Sequence, residues 1–293
     1  MPVMQDLELA RTAHVIINEL CQVKSGESVL ITIDSVSPWR PAEEIAKAAE
    51  CAGARVMVAW HSTPRGYGSV VDSQLPDALV SAIPNTDVWI ELNQQWILYS
   101  SAWTKAGEGG RVRYLFLGGL DCDQMIRCIG NINIQAQAKF QNKLVDMTHN
   151  AKEMRITTPA GTDIRFENGG RPVTTELFAD TPGAHFLLGQ VGWSPVEPTI
   201  NGTIVFDGSF SGGGEAELGV LQNPITLRVE KGVIRSIEGG DEARQVKEWL
   251  EGLGDPKMFH LAHVCYGFNP GARLSGVCAE DERVWGCTQW GMG

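Results

Sequence analysis

SVLITID, residues 28–34, decides the architecture of the amino-terminal half. It is short, apolar and rich in β-branched side chains, as expected of a strand buried on both faces. Similar runs return as RVMVAWH (55–61), DVWIEL (87–92) and VRYLFL (112–117). Helical stretches separate them: 41–52, rich in Ala and Glu with Pro41 at its start, a stretch near 74–83, and part of 96–109. Residues 6–23 precede the first strand, with Leu9, Ala13, Ile16, Ile17 and Leu20 at helical spacing. Further helices are expected at 121–130 and 133–149. Strands alternating with helices predict right-handed crossovers and a doubly wound parallel sheet, an α/β domain. Such sheets bind ligands beyond the carboxyl ends of their strands. Those ends are Asp34-Ser35, His61-Ser62, Asn93 with Gln94, and Gly118-Gly119. No G-x-G-x-x-G follows the first strand and no Walker A sequence occurs, so a nucleotide cofactor is not supported.

The pattern changes near 151. MRITTPAGTDIRF reads as two short strands around a Pro-Ala-Gly turn, and INGTIVFDGSF (200–210), PITLRVEKGVIRSIEGG (224–240) and MFHLAHVCYG (258–267) read as further strands. Glu230-Lys231-Gly232 marks a hairpin turn, and one helix is expected over 241–253. The chain therefore divides into a parallel α/β domain over 1–150 and a strand-rich α+β domain over 151–293, consistent with 293 residues exceeding the usual single-domain size.

Composition narrows the partners. A net charge of -11 opposes phosphate backbones and anionic lipid, so neither nucleic acid nor membrane is expected. No apolar run reaches a membrane-spanning length, and the first residues lack a secretory pattern, which points to the cytoplasm. The seven cysteines include no C-x-x-C pair, against a disulfide framework or a structural zinc site.

H-E-x-x-H and G-x-S-x-G are absent, which disfavours a simple zincin or serine hydrolase. Two histidines draw attention. In MFHLAHVCYGFNP, strand alternation groups Phe259, Leu261, His263 and Cys265 on one face, and His263 lies near the strand's carboxyl end, where imidazole can meet a metal or a substrate. A hydrogen-bonded core histidine fits the same position. His185 sits among turn residues in TPGAHFLLGQVGWSPVEP, a loop setting that suits function or an ordinary surface histidine. His14 and His149 read as structural or solvated.

Three segments together resemble one family: TPAGTDIRF (158–166), PGAHFLLGQVGWSPVEPTINGTIVFDG (182–208), and HVCYGFNPGARL (263–274) with EDERVWGCTQWG (280–291). They are similar to the 2,5-dihydroxypyridine 5,6-dioxygenases, distant relatives of the thermophilic metallo-aminopeptidases of the aminopeptidase T type. The likeness is good over 150–293 and one of layout in the amino-terminal half. It implies a mononuclear iron(II) enzyme that cleaves a hydroxylated N-heteroaromatic ring with dioxygen, and a homo-oligomer. Iron would be held by two histidines and an aspartate with open positions, and the matching first ligand is His263. His185 is the nearest match to a family base. Trp193, Tyr266, Phe268 and Ser101 are candidate substrate contacts, the aromatics as a wall for a flat ring.

The chain also departs from that family. The His-x-Asp pair that would complete the iron site does not occur up to Gly293, so further ligands are expected beyond it. Gln289 lies where the aminopeptidases place a histidine ligand. A second family histidine would fall near Ser100-Ser101-Ala102, where there is none. The alternatives are a Zn-, Mn- or Co-dependent aminopeptidase or amidohydrolase, with Glu197 and Asp281 or Glu282 as ligands or base, and a non-catalytic relative that binds a small aromatic molecule.

Overall fold

A computed structural model of the chain describes residues 2–174, 177–212 and 216–293. The fold is mixed α/β, with one parallel sheet and further antiparallel sheets. In chain order the first elements are α1 (Pro2–Val15), β1 (Ser28–Asp34), α2 (Trp39–Cys51), β2 (Arg55–His61), α3 (Asp77–Ala82), β3 (Val88–Glu91), α4 (Ser101–Glu108), β4 (Arg113–Phe116), α5 (Cys122–Met125) and α6 (Ile134–Asn150). The strands β5 (Glu153–Thr157), β6 (Asp163–Glu167), β7 (Val173–Thr174), β8 (Gly183–Phe186), β9 (Gln190–Trp193), β10 (Asn201–Phe206), β11 (Ser209–Ser211), β12 (Glu217–Val220), β13 (Ile225–Glu230) and β14 (Val233–Glu238) follow. The chain continues through α7 (Asp241–Gly252), β15 (Leu261–Gly267), α8 (Cys278–Asp281) and β16 (Thr288–Met292). No helix among the described residues is long and apolar enough to cross a membrane.

Two compact units form, and neither is one continuous stretch. The first comprises Met1–Gln137, Glu176–Leu188 and Pro270–Ala272; the second comprises Ala138–Thr175, Gly189–Asn269 and Arg273–Gly293. A single break at 150 does not describe this division. The parallel sheet recruits its last strand, β8, from a segment read in the sequence as loop, because an exposed β4 edge would leave a row of unpaired backbone groups.

In the first unit the strand order is β2-β1-β3-β4-β8, every pair parallel. The apolar runs explain the sheet: β3 and β4 are buried at every position and β1 at all but Ser28. The order reverses between β1 and β3, the position where such sheets place ligands. Asp34, at the end of β1, is fully buried there and accepts N–H bonds from Val36, Ser37 and Gln95.

The second unit packs two sheets face to face. One has the order β14-β13-β10-β6-β5, the other β16-β15-β9-β7. Ile164, Phe166, Ile204, Leu227 and Val229 of the first meet Val191, Trp193, Val264 and Trp290 of the second in one core, which α7 joins through Ala243, Val246 and Leu250. Edge-on ring contacts of Phe166 with Trp290 (5.8 Å), and a tilted one with Trp193 (6.3 Å), tie the two sheets. The β13–β14 hairpin turns through Lys231 (φ 51°) and Gly232 (φ 77°), the paired left-handed conformation that suits a two-residue turn.

Candidate functional site

His263 lies on β15, between β9 and β16. The register pairs Val264 with Trp290 and with Trp193, Cys265 with Gln289 and Gly192, and His263 with Gly291. Residues paired across a sheet share a face, and successive residues alternate. Val264, Trp290, Trp193 and Tyr266 therefore face the core. His263, Cys265, Gln289, Gly291, Gln190 and Gly192 occupy the opposite face.

Simple alternation had grouped Leu261 with His263, and the structure corrects this. A register shift between Leu261 and His263 places Leu261 opposite Met292 on the core side. An extra residue in one strand re-aims the side chains beyond it. Without this bulge the imidazole would share the core face with Leu261; with it, the ring is half-buried on the polar face.

Gly291 makes room for that ring. A Cβ at 291 would lie 2.8 Å from His263 Nε2 and nearer still to Nδ1 and Cε1. The imidazole thus rests on bare backbone, and no hydrogen bond to it forms among the described residues. Both ring nitrogens are uncommitted, which suits a metal ligand. The thiols nearby do not suit one. Burial pushes Cys265 and Cys278 well up and Cys287 to about 11, so all three stay protonated at neutral pH. Among the described residues, no three His, Cys, Asp or Glu side chains group closely enough to hold a metal ion. His263 fits as one donor of a set that these residues do not complete.

Gln289 is next to it on the same face. Its carbonyl oxygen is buried with no hydrogen-bond partner. Close by, Gln190 donates to Glu282 (3.2 Å), and Glu282 pairs with the buried Arg283 (2.6 Å).

The other sequence candidates are distributed differently. Trp193 is buried in the core, where its indole N–H donates to Asn168 at 3.0 Å. The Tyr266 hydroxyl bonds Thr148, and Phe268 is a buried core residue against Phe140. The structure thus puts Trp193 and Tyr266 on the far side of the sheet from His263, and they do not form a wall beside it. Alternation along β9 and β15 carried that information once the strand phase was known. Ser101 opens α4 in the first unit and is tied to Asp72 through its N–H (2.9 Å) and hydroxyl (2.5 Å). Glu197 pairs with Arg171 at 2.7 Å. Asp281 accepts from Ser275 and Gly276 N–H groups, which fixes a loop. Both carboxylates have internal partners, so neither favours a hydrolase.

His185 is not on a loop. It lies in β8, paired with Leu115, and is only 4% exposed. Gly183 and the aromatic Phe186 flank a run too short to register as a strand by periodicity. Its Nε2–H donates to the Thr181 carbonyl at 2.8 Å, which fixes the tautomer and leaves Nδ1 as a buried acceptor with no partner. Burial lowers its pKa, so the ring is neutral at pH 7.

The first unit holds a further polar cluster near its strand ends. Glu91 is fully buried, and burial raises it to about 7 despite bonds from Tyr114 (2.5 Å) and the Ile97 N–H (2.5 Å). His61 Nδ1–H donates to the Ser62 carbonyl, so Nε2 accepts from Asn93 (2.7 Å). The Asn93 carbonyl oxygen has no partner. A lone glutamate in an apolar run was the available signal for this cluster.

A parallel α/β unit and a two-sheet unit, the latter with a histidine turned off its core face by a bulge, make this a two-unit α/β protein. A family model, "NicX: 2,5-dihydroxypyridine 5,6-dioxygenase", matches residues 13–289, and the chain belongs to this family. A curated relative, 2,5-dihydroxypyridine 5,6-dioxygenase of Pseudomonas putida, is 29% identical over 143 residues, 47% of this chain and 39% of that protein. The aligned part thus spans well under half of that relative's length. Among solved structures, 2,5-dihydroxypyridine dioxygenase from Pseudomonas putida superposes with a TM-score of 0.73 at 20% identity, over 92% of this chain and 78% of that one. AmpT from Thermus thermophilus superposes at 0.64 with 13% identity, over 89% and 78%. Both likenesses concern the fold.

Proposed function

We propose that the chain is an iron(II)-dependent, ring-cleaving dioxygenase that acts on a hydroxylated N-heteroaromatic such as 2,5-dihydroxypyridine. The observation that carries this is His263, whose imidazole stands on the polar face of its sheet with no hydrogen-bond partner among the described residues, in a chain matched to the family over nearly its whole length. His263 would be one ligand of the metal. Iron(II), when bound, supplies the redox chemistry that lets dioxygen react with a singlet organic ring.

The protein's own groups handle binding and protons. In the first unit, His185 is a candidate proton acceptor: its Nδ1 has no hydrogen-bond partner among the described residues, and the Thr181 carbonyl holds the tautomer that leaves that nitrogen an acceptor. Burial keeps that nitrogen unprotonated at neutral pH. A cytoplasmic, homo-oligomeric enzyme is part of the same reading.

The test is oxygen uptake with 2,5-dihydroxypyridine and ferrous iron, with iron content measured beside it. His263→Ala is expected to keep the circular dichroism of the wild type and to lose bound iron. An absence of uptake with any hydroxypyridine, together with release of amino acids from peptides, would replace this reading with a hydrolase.

A further inference from the structure

Gln289 has a carboxamide that the fold leaves unused. It sits in β16 opposite Cys265, on the same face as His263, with its carbonyl oxygen buried and unpartnered. A buried acceptor without a donor is costly, and native structures keep few of them without a reason. Gly291, two residues on in β16, lies beneath the His263 ring, so the carboxamide and the imidazole are neighbours on this face.

We propose that the Gln289 carboxamide reads the lactam edge of the ring substrate, an inference that rests on the dioxygenase reading above. A 2-hydroxypyridine in its lactam form presents a ring N–H beside an exocyclic C=O. A primary amide presents a C=O beside an NH₂, the complementary pair. The Gln289 carbonyl oxygen accepts the ring N–H, and its NH₂ donates to the exocyclic oxygen. Two parallel hydrogen bonds of this kind are how Gln and Asn side chains read the donor–acceptor edge of adenine. A half-turn about the terminal torsion exchanges the amide's two ends, so the pair can meet the ring edge from either side. Gln289 is thus a specificity residue: it favours rings with nitrogen next to the oxygenated carbon over rings without that edge.

The experiment titrates iron-loaded wild type, Gln289→Leu and Gln289→Glu without oxygen, by calorimetry, with 2,5-dihydroxypyridine and with 3-hydroxypyridine, which lacks the lactam edge. Gln289→Leu is expected to weaken 2,5-dihydroxypyridine by roughly tenfold or more, the loss expected for two ligand hydrogen bonds. Binding of 3-hydroxypyridine stays within about twofold, because no paired contact is lost. Gln289→Glu, which has the same shape but no NH₂, keeps the fold and shows the same preference loss. Unchanged discrimination in both variants overturns the proposal and leaves the dioxygenase reading standing. Loss of iron in Gln289→Leu also overturns it, making Gln289 a metal ligand. Wild type that binds neither ring removes the functional reading and this inference with it.

Discussion

Substituting Gly291 with Ala tests the geometry on which the His263 site depends. The added Cβ would lie 2.8 Å from Nε2 of His263 and closer to two other ring atoms, inside the separation that side-chain atoms tolerate. The ring must then swing away, or β15 and β16 must part. Displacing a side chain about 30° from its rotamer costs about 0.5–1.5 kcal/mol. Parting the strands gives up ladder bonds worth about 1 kcal/mol each. The two routes together span a destabilisation of about 0.5–3 kcal/mol, the upper part of which is typical of overpacking. Under the proposed role of His263 the larger effect falls on metal binding, since a ligand nitrogen displaced by an ångström no longer coordinates. Urea unfolding followed by circular dichroism reads the first effect, and anaerobic ferrous-iron binding reads the second. Gly252→Ala is the control. It ends α7 with nothing within 4 Å of the new Cβ, so it should be neutral or stabilising by up to about 1 kcal/mol. Gly291→Ala with wild-type iron content and an unchanged unfolding midpoint would refute the account of ring and glycine.

Further outcomes follow from the same structure. Trp193→Phe removes the indole donor to the buried Asn168 and shrinks a core ring; it should cost about 2–4 kcal/mol in urea unfolding. Ligand affinity of Trp193→Phe should be unchanged by calorimetry, because the ring faces away from His263; a selective loss of ring-substrate binding would restore Trp193 to the site. Glu91 is raised to about 7 by burial, against an ordinary value of 4.5. Its unfolded form therefore loses its proton first, and its contribution is fully present below about pH 4.5 and lost as pH rises through about 7. That amounts to about 3 kcal/mol across the window. His61 and His185, both lowered by burial, act in the opposite sense below pH 6.5, so the measurement is the difference between wild type and Glu91→Gln. The variant should gain relative stability as pH rises from about 5 to 7, and a difference that stays flat with pH would show that Glu91 is ionised in the fold.

Local pattern was sufficient for much of the architecture. SVLITID, DVWIEL and VRYLFL name buried parallel strands because a strand covered on both faces needs apolar side chains at nearly every position. Lys231-Gly232 names its hairpin because few residues accept two successive left-handed conformations. The segment around His185 was not legible in this way. Its four-residue strand is specified by the free edge of β4, which lies some 70 residues earlier in the chain.

For the candidate site, the sequence supplied the residue types and their family match but not their phase. His263, Trp193 and Tyr266 all lie on strands, and which face each occupies is decided by a bulge at Ala262 and by the register with Gly291, Val191 and Trp290. Residue identity fixed what each side chain can do chemically, because donors, acceptors and titrating groups belong to single residues. Only the tertiary structure decided which of them stand together. A one-residue change of strand phase sends every later side chain to the opposite face, and that phase depends on partner strands distant in sequence.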